Sequence, residues 1–214
     1  MKKLLIASSL LLSSSVMATG FYAGGQLGAI HGKSDSALSY PALPPNISGS
    51  SSSTDLTYGI FGGYRYDLDG FFIAGEIAIG DSKLKTEDSM SLRPAIPVDI
   101  TIERTQSKPS ATINLLAGMP IAEYTEIYGR LGYTEAEFTS KVTAGIGSLP
   151  PETALDFVNK RLGYIFGGGA QYHFDDQITM RLDYQYITYK DDNNGLISHT
   201  SDNHIVSLGA QYNF

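Results

Sequence analysis

The C-terminal stretch of the chain, residues 161–214, limits the possible folds most strongly because apolar and polar side chains alternate along it. In the segment ITMRLDYQYITY, which begins at residue 178, alternate positions are apolar on one side and polar on the other. The apolar set is Ile178, Met180, Leu182, Tyr184 and Tyr186, and the polar set is Thr179, Arg181, Asp183 and Gln185. Successive side chains of a β-strand point to opposite faces, so this pattern predicts a strand with one apolar face. A two-faced strand of about ten residues is typical of a membrane-spanning β-barrel, in which the apolar face meets lipid.

The same alternation recurs along the rest of the chain and predicts eight strands. They lie at residues 20–32, 55–66, two between 71 and 118, 126–138, 161–173, 177–189 and 203–214. The connections between them are alternately long and short, and bacterial outer-membrane barrels place short turns in the periplasm and long loops outside. The sequence therefore predicts an all-β fold: an eight-stranded antiparallel transmembrane β-barrel with short periplasmic turns and four long extracellular loops. Closure of the barrel would leave no strand edge without hydrogen bonds in the lipid.

The four long loops are predicted at residues 34–54, 86–107, 140–159 and 191–202. The prolines and serines of the first argue against any ladder there. Alternation continues at Ile96, Val98, Ile100 and Ile102, so the third and fourth strands are expected to protrude past the outer leaflet as a hairpin. In the third loop, the segment ETALDFVN follows two prolines and is expected to form one or two helical turns.

Two segments, NLLAGMPIAEYTEIYGRLGYTEAEFTSK at residues 114–141 and the stretch 161–214, resemble the membrane domain of outer membrane protein A and opacity-type surface antigens. The resemblance spans residue 21 onward and is close in the strands and short turns. It implies an outer-membrane barrel whose terminal Phe214 is the signal read by the outer-membrane assembly machinery. Because the chain ends with the eighth strand, the peptidoglycan-binding domain and cell-wall tethering role of outer membrane protein A are not expected. Activity is left open, since such families share an architecture and differ in their loops.

Residues 1–18 are predicted to be a cleaved signal peptide, which leaves residues 19–214 as the barrel domain. Lys2 and Lys3 precede an apolar run, and Ala18 is a small residue suited to cleavage. The chain has no cysteine, which excludes disulfides, thiolate metal sites and a lipoprotein signal. With 22 acidic and 15 basic residues the formal net charge is −7, which argues against nucleic acid as a partner. The predicted location is the outer membrane of a Gram-negative cell.

Inward polar residues near the periplasmic ends of the strands are predicted to form a lumen charge cluster. Its members are Gln26, Arg65, Glu76, Arg130, Gln171, Arg181 and Asp183. All but Arg65, which is expected nearby, should share one layer. The third and seventh strands face each other across an eight-stranded barrel, so Glu76 and Arg181 are expected to meet. Such a cluster is either a plug of mutually paired charges or part of a narrow, gated ion path.

Tyrosines near the strand ends are predicted to form an aromatic girdle at the two membrane interfaces, and the chain has no tryptophan to share that role. The main girdle residues are Tyr64, Tyr66, Tyr184, Tyr186 and Tyr212, and Tyr22, Tyr172 and Phe214 are also assigned to it. A soluble β-sandwich is the alternative fold, but it would carry its aromatic residues in the core.

The four histidines argue against an enzyme because they are scattered. His31, His173, His199 and His204 lie in different strands and loops, whereas a metal site needs three or four converging ligands. A lipid hydrolase or acyltransferase would use a Ser-His pair near the outer leaflet. His204 is predicted to point outward at that depth, but no serine motif accompanies it. No catalytic residue, metal site or cofactor is therefore predicted.

These observations predict a non-enzymatic outer-membrane surface protein that supports envelope integrity and presents its loops for adhesion or host interaction. The expected partners are outer-membrane lipid and lipopolysaccharide, the assembly machinery, and a host cell-surface or matrix protein. A monomer is expected. The first alternative is a narrow porin-like channel gated by the lumen charges, and the second is a lipid-modifying enzyme.

Overall fold

The structure is a computed structural model that describes residues 20–38, 47–82, 85–91, 98–146, 152–189 and 197–214. Nearly all of these residues lie in β-strands. The strands are β1 (Gly20–Leu38), β2 (Ile47–Leu68), β3 (Phe71–Ser82), β4 (Lys85–Ser91), β5 (Val98–Ala122), β6 (Thr125–Ile146), β7 (Glu152–His173), β8 (Ile178–Tyr189) and β9 (Ile197–Asn213). The signal peptide predicted at residues 1–18 lies outside the described residues and stays a prediction.

The strands form one closed antiparallel barrel. Their order is β3-β2-β1-β9-β8-β7-β6-β5-β4, and an additional ladder joins β3 to β5 and closes the ring. Strand β4 pairs with β5 in the same register as β3 does, because Gly80 pairs with Ser110 and Lys85 pairs with Thr105. Together β3 and β4 therefore occupy one position in the wall. The predicted eight-stranded antiparallel barrel is confirmed.

Short turns lie at one end of the barrel and long connections at the other, as predicted. The short turns are at residues 69–70, 123–124 and 174–177. In the first, Leu68 pairs with Phe71, and Gly70 has a φ of +84°, which only glycine adopts without strain. The first and last strands pair at the same end, where the amide of Phe214 donates to the carbonyl of Phe21 at 2.9 Å. This end is the periplasmic end of an outer-membrane barrel.

Burial follows the alternation in the sequence. Along β8, Leu182 is 50% exposed on the outer face, whereas its neighbour Asp183 is 1% exposed inside. The apolar band of the outer face ends just beyond Tyr133 and Tyr164, whose rings are tilted against each other with centroids 5.1 Å apart. Two ion pairs follow on the same strands and β5: Glu135 with Lys160, which are both exposed, and Glu137 with Lys108, of which only the lysine is exposed. The change from apolar to charged marks the outer boundary of the membrane. No helix among the described residues has the length and hydropathy needed to span a membrane.

Outside the membrane the strands are longer than predicted. The first hairpin was expected to lose its ladder at residue 33, but β1 and β2 stay paired to Leu38 and Ile47. The segment 152–159, expected to be helical, is part of strand β7 and pairs with β6. Both expectations were wrong because a ladder uses backbone groups, which serine and glutamate provide as well as valine does. The predicted β3–β4 protrusion is present in β4 and the start of β5, and its tip at residues 92–97 lies outside the described residues.

Beyond the membrane boundary the described ladders form two sheets, and β4 of one lies close to β2 of the other. The β2–β3 ladder is described as far as the pair Thr57 and Ser82, and the β7–β8 ladder as far as the pair Gly163 and Tyr189. The four-stranded outer sheet consists of β4 and the outer parts of β5, β6 and β7. The three-stranded outer sheet consists of the outer parts of β9, β1 and β2. Within the described residues, no ladder joins one outer sheet to the other.

The interior is filled in layers, and one of them is apolar. Toward the outer end the lumen holds a cluster of buried side chains, namely Ile30, Ala136, Phe138, Ile165, Ile187, Tyr189 and Ile205. Toward the periplasm aromatic side chains and a leucine pack among the charged residues. An eight-stranded barrel leaves little more space than its own side chains occupy, so both layers close the lumen.

Candidate functional site

Four charged side chains meet in the middle of the barrel and form the central charge cluster: Glu76, Arg130, Arg181 and Asp183. Glu76 lies 2.6 Å from Arg181 and 3.3 Å from Arg130. Asp183 lies 2.9 Å from Arg130 and 3.4 Å from Arg181. All four are buried. Two positive and two negative charges leave the cluster neutral, which is the condition under which charges are tolerated away from water.

Aromatic side chains complete the hydrogen bonding of this cluster. The hydroxyl of Tyr22 donates to Glu76 at 3.1 Å, and that of Tyr128 donates to Asp183 at 2.5 Å. The guanidinium of Arg181 also lies over the ring of Phe61, 4.4 Å from its centroid, a cation–π contact. These rings fit only because glycines lie behind them. At Gly63 an added Cβ would come within 2.5 Å of the Tyr22 hydroxyl.

A second group of polar residues lies closer to the periplasm and forms the periplasmic charge cluster: Arg65, Asp67, Glu126, Gln171 and His173. Arg65 lies 2.6 Å from Asp67 and 2.7 Å from Glu126. Gln171 also donates to Glu126, and the His173 ring lies 3.1 Å from the same carboxylate. The guanidinium of Arg65 lies over the ring of Phe72, at 3.8 Å.

The prediction of a single layer was therefore wrong. Gln171 contacts the periplasmic cluster, whereas Glu76, Arg130, Arg181 and Asp183 form the central one. Arg65, expected beside Glu76 and Arg181, binds Asp67 and Glu126 instead. Sequence reasoning missed Glu126, although it shares the inward parity of Tyr128 and Arg130 on β6. Alternation of apolar and polar residues shows which face of a strand a side chain lies on. It does not show how deep in the membrane that side chain lies when the strand is tilted, so inward residues of different depth were predicted to share one layer.

Gln26 lies apart from both clusters, where it lines a small interior cavity. The cavity has a volume of about 50 Å³ and lies above the central cluster, with Asn114 and Arg130 in its lining. Asn114 donates to Glu76 at 3.4 Å, which links the cavity to the cluster. The rest of the cavity lining is polar at Thr134 and Gln185. It is apolar where the cavity meets the buried cluster toward the outer end of the lumen.

The predicted girdle residues lie mostly on the outer face. Tyr64, Tyr66, Tyr184 and Tyr212 are exposed there, and Tyr186 is half-buried. Near the periplasmic end, the rings of Phe21 and Tyr64 lie 5.0 Å apart, and those of Tyr212 and Phe214 lie 5.1 Å apart. Tyr172 is also exposed near that end. Tyr22 is the exception, because its ring is buried in the lumen beside Glu76. Its assignment to the girdle was wrong.

The histidines remain apart in the structure. His31 Nδ1 lies 2.8 Å from the hydroxyl of Thr54, and His204 Nδ1 lies 2.8 Å from that of Tyr184. The His204 side chain points outward, as predicted, and its ring packs against Tyr186. His173 belongs to the periplasmic cluster, and the side chain of His199 lies outside the described part. No group of three or more potential metal ligands occurs among the described residues.

Comparison with known proteins places this architecture in a family. The model of the outer membrane protein beta-barrel domain matches residues 4–214. Outer membrane protein A of Salmonella typhi is 27% identical over 168 residues, which cover 78% of this chain and 42% of that protein. Outer membrane protein A of Shigella flexneri is 28% identical over 174 residues, which cover 80% and 43%. The chain thus spans less than half the length of these curated relatives.

A solved structure supports the fold alone. The outer membrane protease OmpT of Escherichia coli aligns with a TM-score of 0.52 and 10% sequence identity, covering 94% of this chain and 99% of that one. The family match spans nearly the whole chain, and the described strands close into a barrel with an apolar outer face. The protein therefore belongs to the outer membrane protein beta-barrel domain family and lies in the outer membrane.

Proposed function

We propose that this protein is a non-enzymatic surface protein that binds a host cell-surface or matrix protein through its two outer sheets. The observation that supports this most directly is the length of the strands beyond the membrane. Strand β5 has 25 residues and β6 and β7 have 22 each, whereas about 9–11 residues suffice to cross a bilayer. The outer halves of these strands do not contribute to crossing the membrane.

The outer sheets suit binding because their backbones are ordered by ladders. From Val98 to Gln106, β5 pairs with β6 on one side, and β4 covers much of its other side. Binding residues on a rigid scaffold lose less conformational entropy than residues of a mobile loop.

The end strands of the four-stranded outer sheet offer a mode of binding. Among the described residues, β7 has a ladder partner only on the β6 side from Glu152 to Leu162. We propose that an extended segment of a partner adds to its other side as a further strand, through hydrogen bonds to backbone N–H and C=O groups. Val158 is 58% exposed on this strand and offers an apolar contact. Strand β4 is the end strand on the opposite side, where it lies close to β2.

Attachment by a non-adherent Gram-negative host tests the proposal. Cells displaying the protein are compared with cells displaying a version whose four outer segments, 34–54, 86–107, 140–159 and 191–202, are replaced by short turns. We expect the full protein to mediate attachment to cultured cells and immobilised matrix proteins, and the shortened one to lose it. Val158→Lys should weaken attachment with the barrel intact, because lysine on an edge strand opposes strand addition. Equal attachment by both versions, or attachment by neither, would contradict the proposal.

Surface display and folding must be equal for this comparison. Protease accessibility on intact cells and the change in gel migration upon boiling check both. The barrel is also proposed to support envelope integrity. This role requires only the membrane part, so the shortened version should restore detergent resistance to cells that lack the protein. Failure of both versions to restore it would contradict the role.

A narrow channel is the second candidate, favoured by the cavity of about 50 Å³ that lies above the central charge cluster. Ions reaching this cavity would meet the buried Arg130 and Glu76. We expect the paired charges to block passage, so planar bilayers containing the protein should show no conductance. Conductance that changes with Glu76→Gln or Arg181→Gln would support the channel instead.

A lipid-modifying enzyme is the remaining alternative, and it depends on His204. The His204 side chain faces outward, and its described hydrogen bond is to a tyrosine, Tyr184, whereas a Ser-His pair needs a serine. Acyl release from phospholipid by the purified barrel would support an enzyme only if His204→Ala abolished it.

A further inference from the structure

An open groove crosses the lipid-facing side of the barrel over β9, β1, β2 and β3. It has a volume of about 570 Å³, in the range of small-molecule sites. Four apolar side chains line most of it: Leu27, Ile60, Ile79 and Leu208. All four are more than half exposed on the outer face, so the groove is open to lipid and has no connection with the closed lumen.

Two neighbouring rows of ladder partners form this groove. The outer row consists of Asp81, Tyr58, Leu27 and Leu208, and the inner row, two positions closer to the periplasm, consists of Ile79, Ile60 and Gly25. Gly25 has no side chain, and its partner on β9 is the small Ala210, which leaves space below the outer row. A row across four strands spans about 14 Å, because neighbouring strands lie about 4.8 Å apart. An extended alkyl chain fits along it.

The groove has a carboxylate at its β3 end. The hydroxyl of Tyr58 donates to Asp81 Oδ2 at 3.3 Å, and the amide of Ser82 donates to Asp81 Oδ1 at 2.8 Å. Within the described part of the chain, no basic side chain is paired with Asp81. The polar end of the groove is therefore acidic.

The acidic end lies at the outer boundary of the membrane. Gly80 pairs with Ser110, so Asp81 and Pro109 lie next to each other on the outer side of that pair. Pro109 lines the groove, and the residue before it, Lys108, belongs to one of the ion pairs that mark the boundary. The apolar lining lies in the apolar band. A lipid molecule has the same order, with its chain in the band and its head at the boundary.

We propose that this groove binds a single-chain lipid with an ammonium head. The alkyl chain lies against Leu27, Ile60 and Leu208, and the ammonium donates a hydrogen bond to Asp81. A hydrogen bond between two charged groups is stronger than one between neutral groups, and the same carboxylate repels anionic heads such as those of fatty acids. The site takes a lipid from the membrane and is independent of the protein binding proposed for the outer sheets.

Photolabelling tests the proposal directly. The protein is reconstituted in vesicles of phosphatidylcholine, whose quaternary ammonium has no N–H to donate. The probe is dodecylamine with a diazirine at the end of its chain, and labelled peptides are quantified by mass spectrometry. Leu131 on β6 is exposed to the same bilayer outside the groove, so labelling of β6 is the reference. We expect excess labelling of β1 and β9, which unlabelled dodecylamine removes.

Competitors with the same chain and other heads show whether the ammonium is recognised. Dodecanol and dodecanoate are compared with dodecylamine at equal mole fractions in the bilayer. We expect dodecylamine to compete at least tenfold better than either, because only its head pairs with Asp81. Equal competition by dodecanol or dodecanoate would overturn the proposal, since the groove would then bind chains regardless of their heads.

Removing the carboxylate tests the role of Asp81. Asp81→Asn should weaken competition by dodecylamine about tenfold, which corresponds to about 1.4 kcal/mol. Glu135→Gln is the matched control, because it removes an exposed carboxylate of the same boundary outside the groove. Excess labelling that survives Asp81→Asn in a folded barrel, or that Glu135→Gln also removes, would overturn the proposal.

Filling the groove tests the place of the chain. A Cβ added at the exposed Gly25 meets only the carbonyl of Gly59, at 3.7 Å, so Gly25→Phe fills the groove and should abolish the excess labelling. Gly129→Phe is its control, because Gly129 is exposed on β6 and an added Cβ meets nothing within 4 Å. The gel-migration shift checks folding of every variant. Asp81→Asn hardly changes side-chain volume, so it decides the question if Gly25→Phe does not fold. Labelling of β1 and β9 no stronger than that of β6 in the parent protein would also overturn the proposal.

Discussion

Glu76 on β3 and Arg181 on β8 are 105 residues apart in the sequence, and their side chains meet at 2.6 Å across the lumen. Both are almost completely buried. The pair joins opposite sides of the barrel, and Arg130 and Asp183 extend it into a neutral group of four charges. Its stability therefore depends on charge balance within a closed interior.

Replacing one member of this pair should destabilise the barrel strongly. Glu76→Gln leaves two buried arginines with one carboxylate, and breaking a buried pair in this way costs about 3–5 kcal/mol. We expect a lower free energy of unfolding in urea, measured by circular dichroism on the barrel refolded in detergent.

The matched control for this substitution is Glu135→Gln on the outer surface. Glu135 pairs with Lys160 at 3.0 Å, but both side chains are more than half exposed. Exposed ion pairs contribute little, so the unfolding transition should hardly move. An equal decrease in the free energy of unfolding for both substitutions would show that the buried ion pair contributes no more to stability than the exposed one.

Removing both partners should cost less than removing one. In the double variant Glu76→Met with Arg181→Met, Arg130 and Asp183 remain as a balanced pair. We expect a coupling of about 0.5–3 kcal/mol between the two sites in a double-mutant cycle of unfolding free energies. Additive losses would contradict direct coupling of the two charges.

Neighbouring glycines on β2 should respond differently to the same change. Gly63 faces the lumen, where an added Cβ would lie 2.5 Å from the Gly75 carbonyl and from the Tyr22 hydroxyl. Gly62 faces outward, and its added Cβ would meet only the Tyr22 carbonyl, at 3.5 Å. Gly63→Ala should cost about 1–3 kcal/mol, as overpacking does, and Gly62→Ala should be tolerated. Equal unfolding free energies for the two variants would refute the tight fit around Tyr22.

The terminal Phe214 is predicted to act in assembly more than in stability. Its side chain is 47% exposed and contacts the ring of Tyr212. We expect Phe214→Ala to lower the amount of protein in the outer membrane of cells while leaving refolding of the purified chain in detergent unchanged. Fractionation with immunoblotting and the gel-migration shift measure the two effects. Normal membrane levels would argue against a recognition role.

The sequence by itself determined the membrane part of this protein. Alternation placed Leu182 outside and Asp183 inside, and the Asp69-Gly70 turn was recognisable because glycine supplies the positive φ at Gly70. The expected meeting of Glu76 and Arg181 also follows from strand order in a closed barrel. This succeeded because lipid and lumen differ in polarity, and that difference selects the residue type at every second position.

Only the tertiary structure decided what lies above the membrane and how the lumen is divided. In the segment 152–159 both faces are free of lipid, so no alternation is imposed, and strand structure depends on pairing with β6. The division into two charge clusters depends on strand stagger, which determines that Arg65 reaches Glu126 and not Glu76. The hydrogen bond from Ser82 to Gln106 joins side chains that are 24 residues apart in the sequence. Such contacts depend on register and depth, which a pattern with a period of two residues does not encode.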